Sequence, residues 1–127
     1  MDRNRELLER LWTTDSRLVL SAEAEHEMRA EDYVLEMPQS GERIVGRDMM
    51  RAMQEEYPNP PSIQILRLTG EGDHFVVHGR SDYGGDIYYV ANIVEFRDGK
   101  IARETRIYGS PFEAPEWRAK YVTSPPQ

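Results

Sequence analysis

The run from Tyr88 to Tyr108 constrains the fold more than any other part of the chain. Tyr88-Tyr89-Val90-Ala91-Asn92-Ile93-Val94-Glu95-Phe96 is rich in β-branched and aromatic residues and contains no Pro or Gly, the composition of a strand. Asp98-Gly99 follows within Arg97-Asp98-Gly99-Lys100 and supplies the positive-φ residues that a tight hairpin needs. Ile101 to Tyr108 then alternates as the return strand. Strand geometry sorts the side chains by parity. Tyr88, Val90, Asn92, Val94 and Phe96 share one face of the first strand, and Ile87, Tyr89, Ala91, Ile93, Glu95 and Arg97 share the other. The return strand divides into Ala102, Glu104, Arg106, Tyr108 against Ile101, Arg103, Thr105, Ile107. Neither face is fully polar, so one is expected to pack on helices and the other on a second subunit.

The helices that could cover this sheet lie upstream. Residues 2 to 13 place Leu7, Leu8, Leu11 and Trp12 on one helical face. Asp15 or Ser16 is suited to cap a second helix reaching about Met28, with Leu18, Val19 and Ala22 buried and Glu23, Glu25, Glu27 and Arg29 in solvent. His26 falls near the apolar side, where a hydrogen-bonded structural histidine is the simpler expectation. Tyr33 to Met37 reads as a short strand stopped by Pro38, and Arg43-Ile44-Val45 as its hairpin partner. Gly46 ends that strand, and Arg47 or Asp48 opens a helix to about Tyr57 that carries Met49, Met50 and Met53. Methionines at that spacing serve either as adaptable core or as the lining of an apolar cavity.

Pro58, Pro60 and Pro61 end the helix, and from Ser62 the period changes to two. Strands with turns at Thr69-Gly70-Glu71-Gly72-Asp73 and Gly84-Gly85-Asp86 lead into the Tyr88 strand. The order predicts an α+β domain: a strongly bent, mainly antiparallel mixed sheet wrapped on three helices as a conical barrel. With 127 residues there is room for one domain, spanning residues 1–122. Pro111 to Trp117 is expected to fold back on the body, and residues 123–127 to form a disordered tail.

Composition narrows the function classes. The net charge of −7 argues against nucleic acid or an anionic membrane as a partner. No run approaches the roughly 18 apolar residues of a membrane span. Cysteine is absent, so disulfides and thiolate chemistry are excluded, and the expected location is the cytoplasm. His74 and His78 share a strand face but stand roughly 13 Å apart, too far to hold one ion, so no metal site is expected.

The ordered set Leu35-Glu36-Met37-Pro38, Ser40-Gly41-Glu42, Ile44, Gly46-Arg47, Tyr57-Pro58, Phe96-Arg97-Asp98-Gly99-Lys100-Ile101, Tyr108 and Pro111-Phe112 resembles the SnoaL-like branch of the nuclear transport factor 2-like superfamily. The resemblance covers nearly the whole chain. It implies a cystatin-like α+β barrel, a pocket between helices and the concave sheet face, and commonly a homodimer through the outer sheet face. Relatives of this kind include ketosteroid isomerases, polyketide cyclases, epoxide hydrolases, dehydratases and plain binding modules. In the isomerase pattern a base aspartate precedes the proline that closes the first strand. Met37 stands there and cannot take a proton. The oxyanion-hole aspartate of that pattern corresponds to Asn92, which can still donate a hydrogen bond. The helix-one tyrosine has no equivalent, since Trp12 or Thr13 falls there.

The resemblance places Tyr88, Val90 and Asn92 on the concave face beside Glu104, Arg106 and Tyr108. Trp12, Met37, Met53 and Tyr57 complete the expected lining for a small apolar organic ligand. Three readings follow. In the first, a cofactor-free cyclase or isomerase uses Glu104 as general base, with Arg106 and Asn92 stabilising an enolate-like oxygen. In the second, a carboxylate–arginine–carboxylate set orients water for epoxide hydrolysis, the second carboxylate being Asp82 or Glu36. In the third, the domain only binds a ligand or works through its dimer surface. A surface Glu104–Arg106 ion pair on the outer face is the structural alternative to all three.

Overall fold

The computed structural model describes residues 2–11, 22–57 and 61–123. Helix α1 (Arg3–Leu11) is followed by α2 (Ala22–Met28), β1 (Arg29–Met37), β2 (Glu42–Val45) and α3 (Arg47–Glu56). Strands β3 (Ser62–Glu71), β4 (His74–Tyr83), β5 (Asp86–Arg97) and β6 (Lys100–Gly109) come next, then a 3-10 helix over Glu116–Tyr121. The six strands form one mixed sheet in the order β2-β1-β6-β5-β4-β3. Among the described residues, the β1–β6 pairing is parallel and the other pairings are antiparallel. The sheet is curved rather than closed, with helices on its inner face, the strongly bent, mainly antiparallel mixed α+β arrangement expected from the sequence.

Turn chemistry sets the register. Asp98 and Gly99 both take positive φ, 52° and 77°, which matches the right-handed twist of the strands they join. Gly70 has φ of 126°, and a Cβ there would fall 2.3 Å from the His74 carbonyl oxygen. Only glycine permits that approach of β3 to β4.

The inner face is the core. Val94 and Phe96 of β5, Phe75 and Val77 of β4, Ile65 of β3, Tyr33 and Leu35 of β1 and Ile101 of β6 pack with Leu8 of α1 and Met50 of α3. Phe75 and Phe96 meet edge-to-face at 5.8 Å. Helix α1 is pinned across the sheet's far end by polar contacts. Asp2 accepts from the Gly72 amide at 2.8 Å, and Asn4 donates to the Gly72 carbonyl at 2.8 Å.

Several expectations need correction. Ile101 joins the inner face with Glu104, although parity assigned them to opposite faces. A β-bulge is the cause: Glu95 pairs with Arg103 but Phe96 pairs with Ile101, so Ala102 is the extra residue. Met49 is exposed, while Met50 is fully buried. The segment after Pro111 does not fold back into the body: Phe112, Trp117 and Tyr121 are all exposed. Glu25 and Arg29, expected in solvent, are withdrawn from it. Helix α2 stops at Met28, and Arg29 starts a strand, so helical periodicity no longer sets its direction. Residues 12–21, which carry Trp12 and the expected cap and apolar stripe of the second helix, lie outside the described residues, as do residues 124–127 of the expected tail.

Phe75→Ala is expected to destabilise the domain by ~3–5 kcal/mol, because the Phe96 edge contact and the surrounding aliphatic packing cannot collapse into the space. Urea unfolding followed by circular dichroism measures it.

Candidate functional site

The centre of the inner face is polar. Glu104 is 1% exposed, yet it lies on the middle strand β6 among apolar neighbours. A carboxylate so placed must be paired and hydrogen-bonded. Tyr33 of β1 donates to its Oε1 at 2.9 Å. Asn92 of β5 donates to Oε2 at 2.6 Å. Arg106, two residues along β6, adds Nε at 3.3 Å and Nη2 at 2.9 Å to the same oxygen. Pairing places Asn92 directly opposite Arg106, which is why both reach one carboxylate.

A second arginine stands behind the first. Arg29 is 2% exposed, and its Nη2 lies 3.9 Å from Glu104 Oε1 and 3.7 Å from Glu25 Oε2. Its Nη1 donates to Gln54 Oε1 at 2.9 Å, and its guanidinium lies over the Tyr33 ring at 4.9 Å. Gln54 of α3 in turn donates to Glu25. The result is a continuous alternation Glu25–Arg29–Glu104–Arg106 from α2 to β6.

The two carboxylates differ electrostatically. Burial alone would raise the Glu104 carboxyl. Arg106, Arg29 and the hydrogen bonds from Asn92 and Arg106 outweigh that and bring it down to about 2. For Glu25 burial prevails over Arg29 and Gln54, and its pKa is raised. Burial also raises the Tyr33 phenol, with the Glu104 charge adding to it. Arg106 is held above the ordinary arginine value because Glu104 outweighs its own desolvation.

Arg106 has the most exposed side chain of the four, at 19%. Tyrosines stand near it. Tyr108 and Tyr33 act electrostatically on Arg106, and Tyr57, Tyr108 and Arg106 act on Tyr83. Burial, then the adjoining Tyr57, raise the Tyr83 phenol. The Tyr83 and Tyr88 rings meet edge-to-face at 5.6 Å.

Of the residues singled out from sequence, Glu104, Arg106 and Asn92 converge in one network, so the surface ion pair on the outer face does not describe them. Tyr57, Tyr88 and Tyr108 flank Arg106 or Tyr83, with Val90 paired across from Tyr108. Met37 and Met53 pack against the apolar core. Trp12 lies outside the described residues. Neither Asp82 nor Glu36 is the second inward carboxylate: Asp82 accepts from the Gly85 amide in a turn, and Glu36 pairs with Arg103 at 3.1 Å. Glu25 takes that place. Its one sequence signal was the i, i+4 spacing from Arg29, which marks a pair on a helix but not a buried one. His26 meets Asp48 across α2 and α3 at 2.7 Å, a structural link between helices. Among the described residues no three His, Cys, Asp or Glu side chains come together as metal ligands.

Glu104→Gln is expected to cost ~3 kcal/mol at neutral pH, since two buried guanidinia lose their shared charge. Because the folded pKa of Glu104 is depressed, its contribution is present above about 4.5 and is lost as pH falls toward about 2. The stability gap between wild type and variant should therefore close over that window in urea titrations at stepped pH.

Comparison with known proteins identifies the family and the fold. The SnoaL-like domain family matches residues 5–104. An NTF2-like protein of unknown function from Burkholderia xenovorans LB400 is 35% identical, with 98% of this chain and 96% of that one covered and a TM-score of 0.81. A candidate ketosteroid isomerase from Kribbella flavida DSM 17836 is 26% identical over 98% of this chain and 91% of that one, with a TM-score of 0.83. A candidate SnoaL-like polyketide cyclase from Jannaschia sp. CCS1 shares the fold at 15% identity, 84% and 85% coverage and a TM-score of 0.66. No functionally curated protein matches the chain. With its curved mixed sheet, inner-face helices and a family match over most of its length, the chain belongs to the SnoaL-like domain family of the nuclear transport factor 2-like superfamily.

Proposed function

We propose that this domain binds a small, largely apolar ketone beside Arg106 and acts on it as a cofactor-free isomerase or cyclase. What carries the reading is Arg106: a guanidinium fixed in direction by Glu104, partly open, and set among tyrosines. A few oriented polar groups in an apolar, aromatic surrounding are what recognition of such a ligand requires. Proton transfer next to a carbonyl needs a stabilised oxygen and a base. Arg106 stabilises the developing oxyanion, and Asn92 helps to hold the carboxylate that aims it.

The roles of the two carboxylates follow from their surroundings. Glu104, held ionised down to about 2, has too little proton affinity for a general base and acts as the positioning group. Glu25, raised by burial and joined to the same chain of charges, is the better proton acceptor. Its side chain is 14% exposed, which leaves it reachable.

Incubation with 1-tetralone in D2O, followed by proton NMR at the carbon next to the carbonyl, tests this. Wild type should accelerate exchange. Glu25→Gln should lose most of the rate while retaining ketone binding, and Arg106→Ala should lose binding as well. Retained exchange in both variants would dismiss these assignments.

A second reading rests on Glu25–Arg29–Glu104 itself, a carboxylate–arginine–carboxylate set able to orient a water for epoxide opening. Turnover of a terpenoid epoxide with no ketone exchange would favour it.

We also propose that the chain forms a homodimer through its outer sheet face. Val76, Tyr89 and Ile107 are exposed on adjoining strands of that face, beside the partly buried Ala91 and Ile93. Contiguous exposed apolar surface of this kind is characteristic of subunit contacts. Ile107→Glu should convert a dimer to a monomer in light-scattering measurements. A wild type that is already monomeric would overturn the assignment.

A further inference from the structure

Asn92 is 7% exposed and lies on the inner face directly opposite Arg106. Its amide cannot be turned over. The nitrogen stands 2.6 Å from Glu104 Oε2, and reversal would press a carbonyl oxygen against a carboxylate oxygen. Oδ1 is therefore held away from Glu104, and it has no hydrogen-bond partner among the described residues. Buried acceptors are almost always paired in folded proteins, so an orphan needs an explanation.

The other two orphaned atoms are different in kind. Arg29 Nε is a donor on a guanidinium stacked on the Tyr33 ring, and Arg80 Nε belongs to a residue of outer-face parity on β4. Among the described residues, Asn92 Oδ1 is the buried acceptor left unpaired on the inner face, on the strand facing the partly exposed Arg106. The pair thus presents opposite demands to one ligand: Arg106 asks for an oxygen acceptor, and Asn92 asks for a donor. An ammonium is a poor answer, since it would approach a guanidinium on the facing strand. A neutral hydroxyl carries no such repulsion.

Resting on the binding reading above, we propose that Asn92 Oδ1 is a specificity-determining acceptor and that the ligand class is a hydroxylated ketone, with its hydroxyl on Asn92 and its carbonyl oxygen on Arg106. Directly opposed side chains on neighbouring strands stand ~5 Å apart, so the two oxygens belong on one small ring system in a meta-like relation. A site that must satisfy a buried polar atom discriminates strongly against an analogue lacking the matching group. The family resemblance suggests Asn92 as a donor to the reacting oxygen. One of its N–H groups is spent on Glu104, and the carbonyl oxygen is the atom of the amide with no partner at all.

Calorimetric titration with 7-hydroxy-1-tetralone, 7-methoxy-1-tetralone and 1-tetralone tests the inference. Wild type should bind the hydroxy ketone about tenfold more tightly than either analogue. In Asn92→Leu that ratio should fall to about one, whatever loss of the Glu104 hydrogen bond does to all three ketones alike. A purely structural role for Asn92 would weaken all three ketones together and leave the ratio intact, which would overturn the proposal. Should the variant fail to fold, the wild-type ratio decides alone. Equal binding of the three ketones to wild type defeats the inference but leaves the ketone-binding reading standing. Binding of none defeats both.

Discussion

A carboxylate with almost no exposure, on the central strand of a curved sheet, is the constraint on which the interior depends. Glu104 cannot remain charged there unless several elements deliver donors to it at once. Tyr33 comes from the parallel neighbour β1, Asn92 from the antiparallel neighbour β5, Arg106 from β6 itself, and Arg29 from the junction of α2 and β1. A slip of one residue in either pairing would turn these donors to the opposite face and strand the charge. The network therefore selects the register of three strands as strictly as the apolar core does.

Charge pairing then divides labour between groups of the same chemical type. Two carboxylates stand in one alternating chain, and their environments push their pKa values apart: arginines and hydrogen bonds hold one ionised, while burial lifts the other. Separation of this kind lets two carboxyl groups in one network differ in how readily they take up a proton. The arginines differ likewise. Arg29 is closed off by Gln54, Glu25 and the Tyr33 ring, whereas Arg106 keeps an open side. The members of the network thus differ in access as much as in residue type.

The helices are tied to the sheet by polar contacts that bear on this access. Arg29, Gln54 and Glu25 bridge α2, β1 and α3, and His26 with Asp48 spans the same two helices. Lys100 reaches the Glu27 carbonyl at the end of α2. A helix held by side chains that also belong to the charge network cannot shift without disturbing Arg29. The position of α2 and the electrostatics of the site are in this way one variable.

By itself the sequence determined the β5–β6 hairpin, its Asp-Gly turn, the α+β order and the shared face of Asn92, Val94 and Phe96, because period-two alternation and turn residues are local properties. It also brought Glu104 and Arg106 onto one strand face. Tertiary structure decided what local patterns do not encode. Ala102 bulges and moves Ile101 inward; the end of α2 at Met28 redirects Arg29 from solvent to Glu104; and Glu25 becomes the second carboxylate where Asp82 or Glu36 had been expected. Each of these depends on which distant group stands opposite a side chain. The free energy of a buried charge depends on such a neighbour, seventy-five residues away in the case of Arg29 and Glu104, as well as on nearby partners such as Arg106.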